Sequence, residues 1–202
     1  MEFQEVVRHR RMIRNFQRGR AVPPEMLQRI LDNARRAPSA GHTQGWSFLV
    51  LEGPAETGIY WDAVFPQEKR DGFAYPGLFE APLIIVPLSC KNAYLDRYAE
   101  PDKGWTDRDE NRWPTDFWTV DTAFSAMLIL LTVVDLGLAA LFFGIFDVPG
   151  LRRAFGVPDT HHPIGAIAIG YPAVDRPSPS LKRGRQPLDA MVHRGRWGKH
   201  DG

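Results

Sequence analysis

The chain has 202 residues, 44% hydrophobic and 24% charged, with a formal net charge of +1. That is apolar material for one sizeable core, and its 18 Gly and 17 Pro follow no period, so disordered, fibrous and solenoid chains are excluded. The single Cys90 excludes an intrachain disulfide, and Met1 leads into the acidic, amphipathic EFQEVV instead of an apolar signal region, so a cytoplasmic location is expected.

Leu27, Ile30, Leu31 and Ala34 recur at i, i+3, i+4 and i+7 behind Pro23-Pro24-Glu25, which predicts a helix over about 24–36. Ala37-Pro38-Ser39-Ala40-Gly41 ends it with residues small enough for close backbone approach. The runs 46-WSFLVLE-52 and 82-PLIIVPL-88 read as short buried strands bounded by Pro and Gly. Residues 54–80 carry Trp61, Phe65, Phe73, Tyr75 and Phe79, and residues 92–114 carry Tyr94, Tyr98, Trp105 and Trp113. Both read as aromatic loop insertions that either cover the core or wall a flat ligand's pocket.

Residues 123–146 contain one charge, Asp135, and are long enough to span a membrane. Against spanning, Asp135 near the centre would cost about 2.5–3.5 kcal/mol, basic flanks are lacking, and Gly137 interrupts the pattern. The stretch is read as a buried helix over about 116–136, a stop at Gly137, and an interior strand over about 138–145. Asp147 then caps a helix over 149–155 that ends at Gly156, and a last strand over 164–170 runs into Tyr171-Pro172 and a Pro/Ser/Arg-rich tail. The expected fold is α+β, one domain over 1–202, with a mixed or antiparallel sheet packed around one apolar helix.

Charge is unevenly spread. Residues 1–50 carry nine Arg against four acids, residues 51–175 nine basic against eighteen acidic, and residues 176–202 seven basic against two acidic. The acidic middle removes the one-signed field that nucleic acid requires, so two basic ends converging on one small anion is the preferred reading. No dinucleotide glycine fingerprint, P-loop, zinc motif or nucleophile elbow is present, and His161-His162 has no acidic or Cys companions. An enzyme built this way borrows its reactive group from a cofactor.

Arg10-Arg11-Met12-Ile13-Arg14-Asn15-Phe16 resembles the R-R-S-x-R-x-F opening of the flavin-dependent nitroreductase family, and 37-APSAGHTQGW-46 its A-P-S-x-x-N-x-Q-P-W segment. Asp121 to Leu138 is similar to its D-x(15)-G-L central helix, 142–147 to the stretch beside the flavin, 165-GAIAIGYP-172 to A-x-x-x-G-Y-P, and 183-RGRQPLDAMVH-193 to R-x-P-L-x-x-x-V-H. The resemblance implies a homodimer with FMN at its interface. By motif match, Arg10, Arg11, Arg14, Arg185 and Arg183 would hold the phosphate, beside Met12. Ser39, His42 and Gln44 would lie near the ring and ribityl chain, and Phe142, Phe143, Gly144 and Ile145 would face the ring. The same resemblance implies hydride transfer from NAD(P)H through flavin N5 to a small acceptor such as a nitroaromatic, quinone or enone, with His42 a candidate proton donor; the residues themselves give the expectation of no metal, nucleic acid or membrane.

Four positions depart from the pattern: Met12 replaces Ser, His42 the frequent Asn, Gly45 the usual Pro, and Leu128 an Asn of the central helix. They bear on substrate and donor more than on flavin. A deazaflavin-using or substrate-oxidising enzyme of the same fold, a non-catalytic flavin carrier, and an acidic-partner or nucleic-acid module therefore stay as rival expectations.

Overall fold

The computed structural model describes residues 1–199. Its chain runs α1 (Phe3–His9), α2 (Pro24–Ala34), β1 (Trp46–Glu52), α3 (Gly53–Val64), α4 (Gln67–Arg70), β2 (Leu83–Ser89), α5 (Lys91–Ala99), α6 (Phe117–Asp135), β3 (Ala139–Phe143), α7 (Val148–Phe155), β4 (His162–Pro163), β5 (Ala166–Gly170) and α8 (Leu188–Met191). The sheet order is β1-β2-β5-β3, with β4 beside β2, and every strand pair is antiparallel.

The two central strands, β2 and β5, are buried along their whole length. Period-2 alternation sends Leu83, Ile85, Ile167 and Ile169 to one face, where they meet Ile30 of α2 and Ile129 and Val133 of α6. Ile84, Val86, Ala166 and Ala168 go to the other face, against Tyr60 and Trp61 of α3 and Leu151 of α7. The architecture is α+β as expected, but the sheet does not wrap around α6. Strands apolar on both faces need a layer on each, and one helix covers only one.

Of the two aromatic stretches expected as loops, the first is largely helical and the second is helical over about half its length. Pro54 sits in the first turn of α3, and Thr57, Tyr60, Trp61 and Val64 form a buried i, i+3, i+4, i+7 stripe. The second stretch folds as α5 and a 3₁₀ turn at Glu110–Arg112, and Tyr94, Tyr98, Trp105 and Trp113 pack mainly on one another.

Gly137 takes φ +71° and ends α6 as expected, with the Leu138 amide donating to the Val133 carbonyl at 2.9 Å. Asp147 caps α7 by accepting from the Gly150 amide at 2.7 Å. By length and composition α6 could cross a membrane. Here it is a core helix, packed on α1, α2, β2 and β3, with its polar groups turned inward. Ser125 donates to the Ala34 carbonyl at 2.9 Å and Thr132 accepts from Asn33 at 3.0 Å. Its outer face is left apolar, with Phe124 47% and Met127 46% exposed, and α1 adds exposed Phe3 and Val7.

Candidate functional site

The two basic ends of the chain meet because of how β5 leaves the sheet. The N-terminal segment forms an isolated parallel bridge between Met12 and Ala140 of β3, and the Ile13 amide donates to the Ala140 carbonyl at 3.0 Å. The chain leaving β5 then runs back along the same segment. Phe16 pairs with Pro172, the Gln17 amide donates to the Tyr171 carbonyl at 2.9 Å, and the Ala173 amide donates to the Asn15 carbonyl at 3.0 Å. The Arg14 amide donates to Asp175 Oδ2 at 3.0 Å, so the tail is held until it turns through the 3₁₀ helix Pro179–Arg183.

The result is a cleft of about 720 Å³ whose walls include Arg8, Arg10, Arg11, Met12, Arg14, Asp175 and Arg185. Among the described residues none of these five arginines forms an ion pair. Guanidinium groups gathered without carboxylate partners repel one another, and an anion that accepts bidentate hydrogen bonds relieves this. Arg14 is half-buried; its side chain donates to the Met12 carbonyl at 3.2 Å and lies over the Tyr75 ring at 5.3 Å.

Arg14 also lines a second, apolar cavity of about 270 Å³, with Trp61, Phe65, Phe79, Phe142, Phe143 and Gly144 among its walls. Trp61 stacks on Phe143 at 5.6 Å and meets Phe79 edge-on at 5.0 Å. A Cβ built on Gly144 would have nothing within 4 Å, so the protein leaves open space beside this backbone.

A third group of predicted residues lies elsewhere. Ser39, His42 and Gln44 occupy the loop between α2 and β1, outside the walls of both cavities. The loop is held by the buried Asp121 carboxylate, which accepts from the Ala40 amide and the Tyr94 hydroxyl, each at 2.8 Å. Burial, with a further contribution from Asp121, raises the Tyr94 pKa above the ordinary tyrosine value, so the hydroxyl stays a donor. Arg97 Nε donates to the Gly41 carbonyl at 3.0 Å, and Ser39 Oγ accepts from the Gln44 amide at 2.8 Å. Under these restraints His42 and Gln44 take φ +55° and +53°, and their exposed side chains approach to 3.0 Å. Left-handed backbone at non-glycine residues is costly and concentrates at functional sites.

Gly45 has a structural reason: a Cβ there would lie 2.5 Å from the Tyr94 ring. The Met12 sulfur is used locally, 3.4 Å from the Phe142 amide.

The structure thus brings Arg10, Arg11, Met12, Arg14 and Arg185 together, and joins Phe142, Phe143 and Gly144 to them through Arg14. It leaves Ser39, His42, Gln44, Ile145 and Arg183 outside both cavities. Sequence reading missed Asp175 and the contacts that Asp121 makes; it named Trp61 and Tyr94 only among aromatics that would cover the core or wall a pocket. Trp61 was legible in the Thr57/Tyr60/Trp61/Val64 spacing, whereas the partners of Asp121 come from remote segments and left no local signal.

The chain is similar to known proteins over most of its length. The sequence model of the Nitroreductase family matches residues 7–171. A Thermus thermophilus protein named NADH dehydrogenase is 29% identical, over 91% of each chain. A solved nitroreductase family protein from Clostridium difficile 630 superposes with a TM-score of 0.69 at 27% identity, over 97% of this chain and 99% of that one. A structure from Exiguobacterium sibiricum, solved in complex with FMN, superposes with a TM-score of 0.75 at 21% identity, over 95% of this chain and 96% of that one.

Proposed function

Since the chain belongs to the Nitroreductase family, we propose that it is an FMN-dependent oxidoreductase that passes hydride equivalents from NAD(P)H to a small acceptor such as a nitroaromatic, quinone or enone. The observation that carries this reading is the convergence of Arg10, Arg11, Arg14 and Arg185, from opposite ends of the chain, on one cleft. The residues fit the cofactor: unpaired guanidiniums suit a phosphate dianion, and the open space at Gly144 leaves its backbone free to approach a flat ring. Bound FMN would supply hydride acceptance and donation at the flavin ring. The chain itself would bind the phosphate, orient the ring and exclude water with the Phe142–Gly144 segment and the aromatic walls next to it.

The purified protein is expected to be yellow, to release FMN on acid treatment, and to have that flavin bleached anaerobically by NADH or NADPH and recoloured by a nitroarene or quinone. Bleaching only by reduced deazaflavin would move the donor assignment; no bleaching by any donor would make the protein a carrier.

We place the site at the interface of a homodimer. The loop of Ser39, His42 and Gln44 is tied to the N-terminal part of α6 through Asp121, one turn from the exposed Phe124. The tail carries exposed Leu181, Leu188, Met191 and Trp197 that one protomer leaves uncovered. A second copy covering α6 and receiving the tail would bury both sets and would bring its own loop to the cleft. Phe124→Glu is expected to convert a dimer to a monomer in light scattering, with loss of bound flavin; a monomeric wild-type protein that retains flavin would remove this arrangement.

In that dimer His42 is the proton donor to the acceptor. In His42→Asn the reoxidation of reduced flavin by the acceptor is expected to slow while its reduction by the nicotinamide is kept, whereas an unchanged reoxidation rate would eliminate the role.

A further inference from the structure

The basic cleft holds one group that phosphate binding alone does not use. Asp175 lies on its wall among Arg8, Arg10, Arg11, Arg14 and Arg185. One of its oxygens, Oδ2, accepts from the Arg14 amide at 3.0 Å, while Oδ1 is buried and accepts nothing. With five guanidiniums at hand an ion pair would be the ordinary outcome, yet among the described residues none joins Asp175 to any of them. Arg14 is turned away, donating to the Met12 carbonyl and covering the Tyr75 ring.

A carboxylate in an anion cleft repels the anion, and a buried oxygen without a donor is costly. Both penalties disappear when the ligand brings a hydroxyl donor close to its phosphate. We infer that the Asp175 carboxylate turns Oδ1 from its buried position toward the cleft to accept a hydrogen bond from a hydroxyl of the polyol chain carrying the phosphate, so that the cleft selects a phosphorylated polyol over a bare anion. This rests on the FMN reading and extends it to a residue outside the motifs. Position 12, which also lines the cleft, supports it: Met12 offers no hydroxyl, and its sulfur already approaches the Phe142 amide, so the polyol chain gains no hydroxyl contact there.

The test is equilibrium titration of flavin-free protein with two ligands: FMN, and a flavin bearing an N10-alkyl phosphate of equal length without hydroxyls. Wild-type protein is expected to prefer FMN by about 10-fold or more, the scale of one hydrogen bond to a charged group. In Asp175→Ala that preference should vanish. FMN should weaken, while the hydroxyl-free flavin binds as well as before or more tightly, because a negative charge has gone. In Asp175→Asn, which keeps an acceptor, part of the preference should survive. Unchanged or tighter FMN binding in Asp175→Ala overturns the inference. So does an equal weakening of both flavins, the mark of a lost anchor for the Arg14 backbone. Wild-type protein that binds neither flavin overturns the cofactor reading first, and this inference with it.

Discussion

Protein carrying Arg14→Ala together with Arg185→Ala is expected to emerge from purification colourless and to bind added FMN about 10²- to 10⁴-fold more weakly, two charge-assisted contacts being worth about 1.5–3 kcal/mol each. Among the described residues neither side chain has a carboxylate partner, so their removal takes little from the folded state, and the thermal midpoint of the flavin-free protein should hardly move. The two single variants should differ. Arg14 is half-buried, is held by the Met12 carbonyl and lines both cavities, whereas Arg185 is exposed and lines one. Arg14→Ala should therefore cost more affinity, and Arg185→Ala should mainly flatten the salt dependence of binding. Arg14→Lys should not restore the wild-type constant, because a point charge cannot reproduce a planar fork over the Tyr75 ring. Fluorescence titration of FMN at several salt concentrations reads all three. Undiminished FMN affinity in the double variant would remove the cleft as the phosphate site.

Much of this arrangement was legible in the chain. The helix at 24–34, the stop at Gly137 and the cap at Asp147 follow from local rules, and the structure keeps them within a residue or two of where spacing and capping put them. The convergence of two basic ends was legible as charge arithmetic, but its cause was not. It depends on β5 sitting between β2 and β3, a pairing choice no single segment encodes. The helices α3 and α5 were hidden for a different reason. A dense run of aromatics masks the 3.6-residue period, because Trp61, Phe65 and Phe73 look alike in composition although only some lie on a helix. Leu128 replaces the Asn of the family pattern on a half-buried part of α6, and nothing in the structure explains that choice.

Asp121 is where the fold and the candidate site depend on one another most. Asp121 is 2% exposed, and its carboxylate accepts from the Ala40 amide and from the Tyr94 hydroxyl, which has Ser39 Oγ as a second partner at 3.4 Å. Asp121→Ala leaves the Ala40 amide without an acceptor, at about 1–3 kcal/mol, and Tyr94 with only the long Ser39 contact, so a loss of about 2–4 kcal/mol is expected in urea unfolding at an unchanged m-value. Tyr94→Phe removes one donor and leaves the Ala40 contact, so it should cost about 1 kcal/mol. The larger effect should also be local. The left-handed His42 and Gln44 persist only while neighbouring contacts over-determine the loop, and without Asp121 their strain is released by rearrangement. Amide exchange at Ala40 and Gln44 should then accelerate far more than exchange in β2 or β5, while the Arg14/Arg185 cleft, built from other segments, keeps its affinity for inorganic phosphate. A loss below about 1 kcal/mol with exchange unchanged would mean that Arg97 and Ser39 hold the loop without the carboxylate.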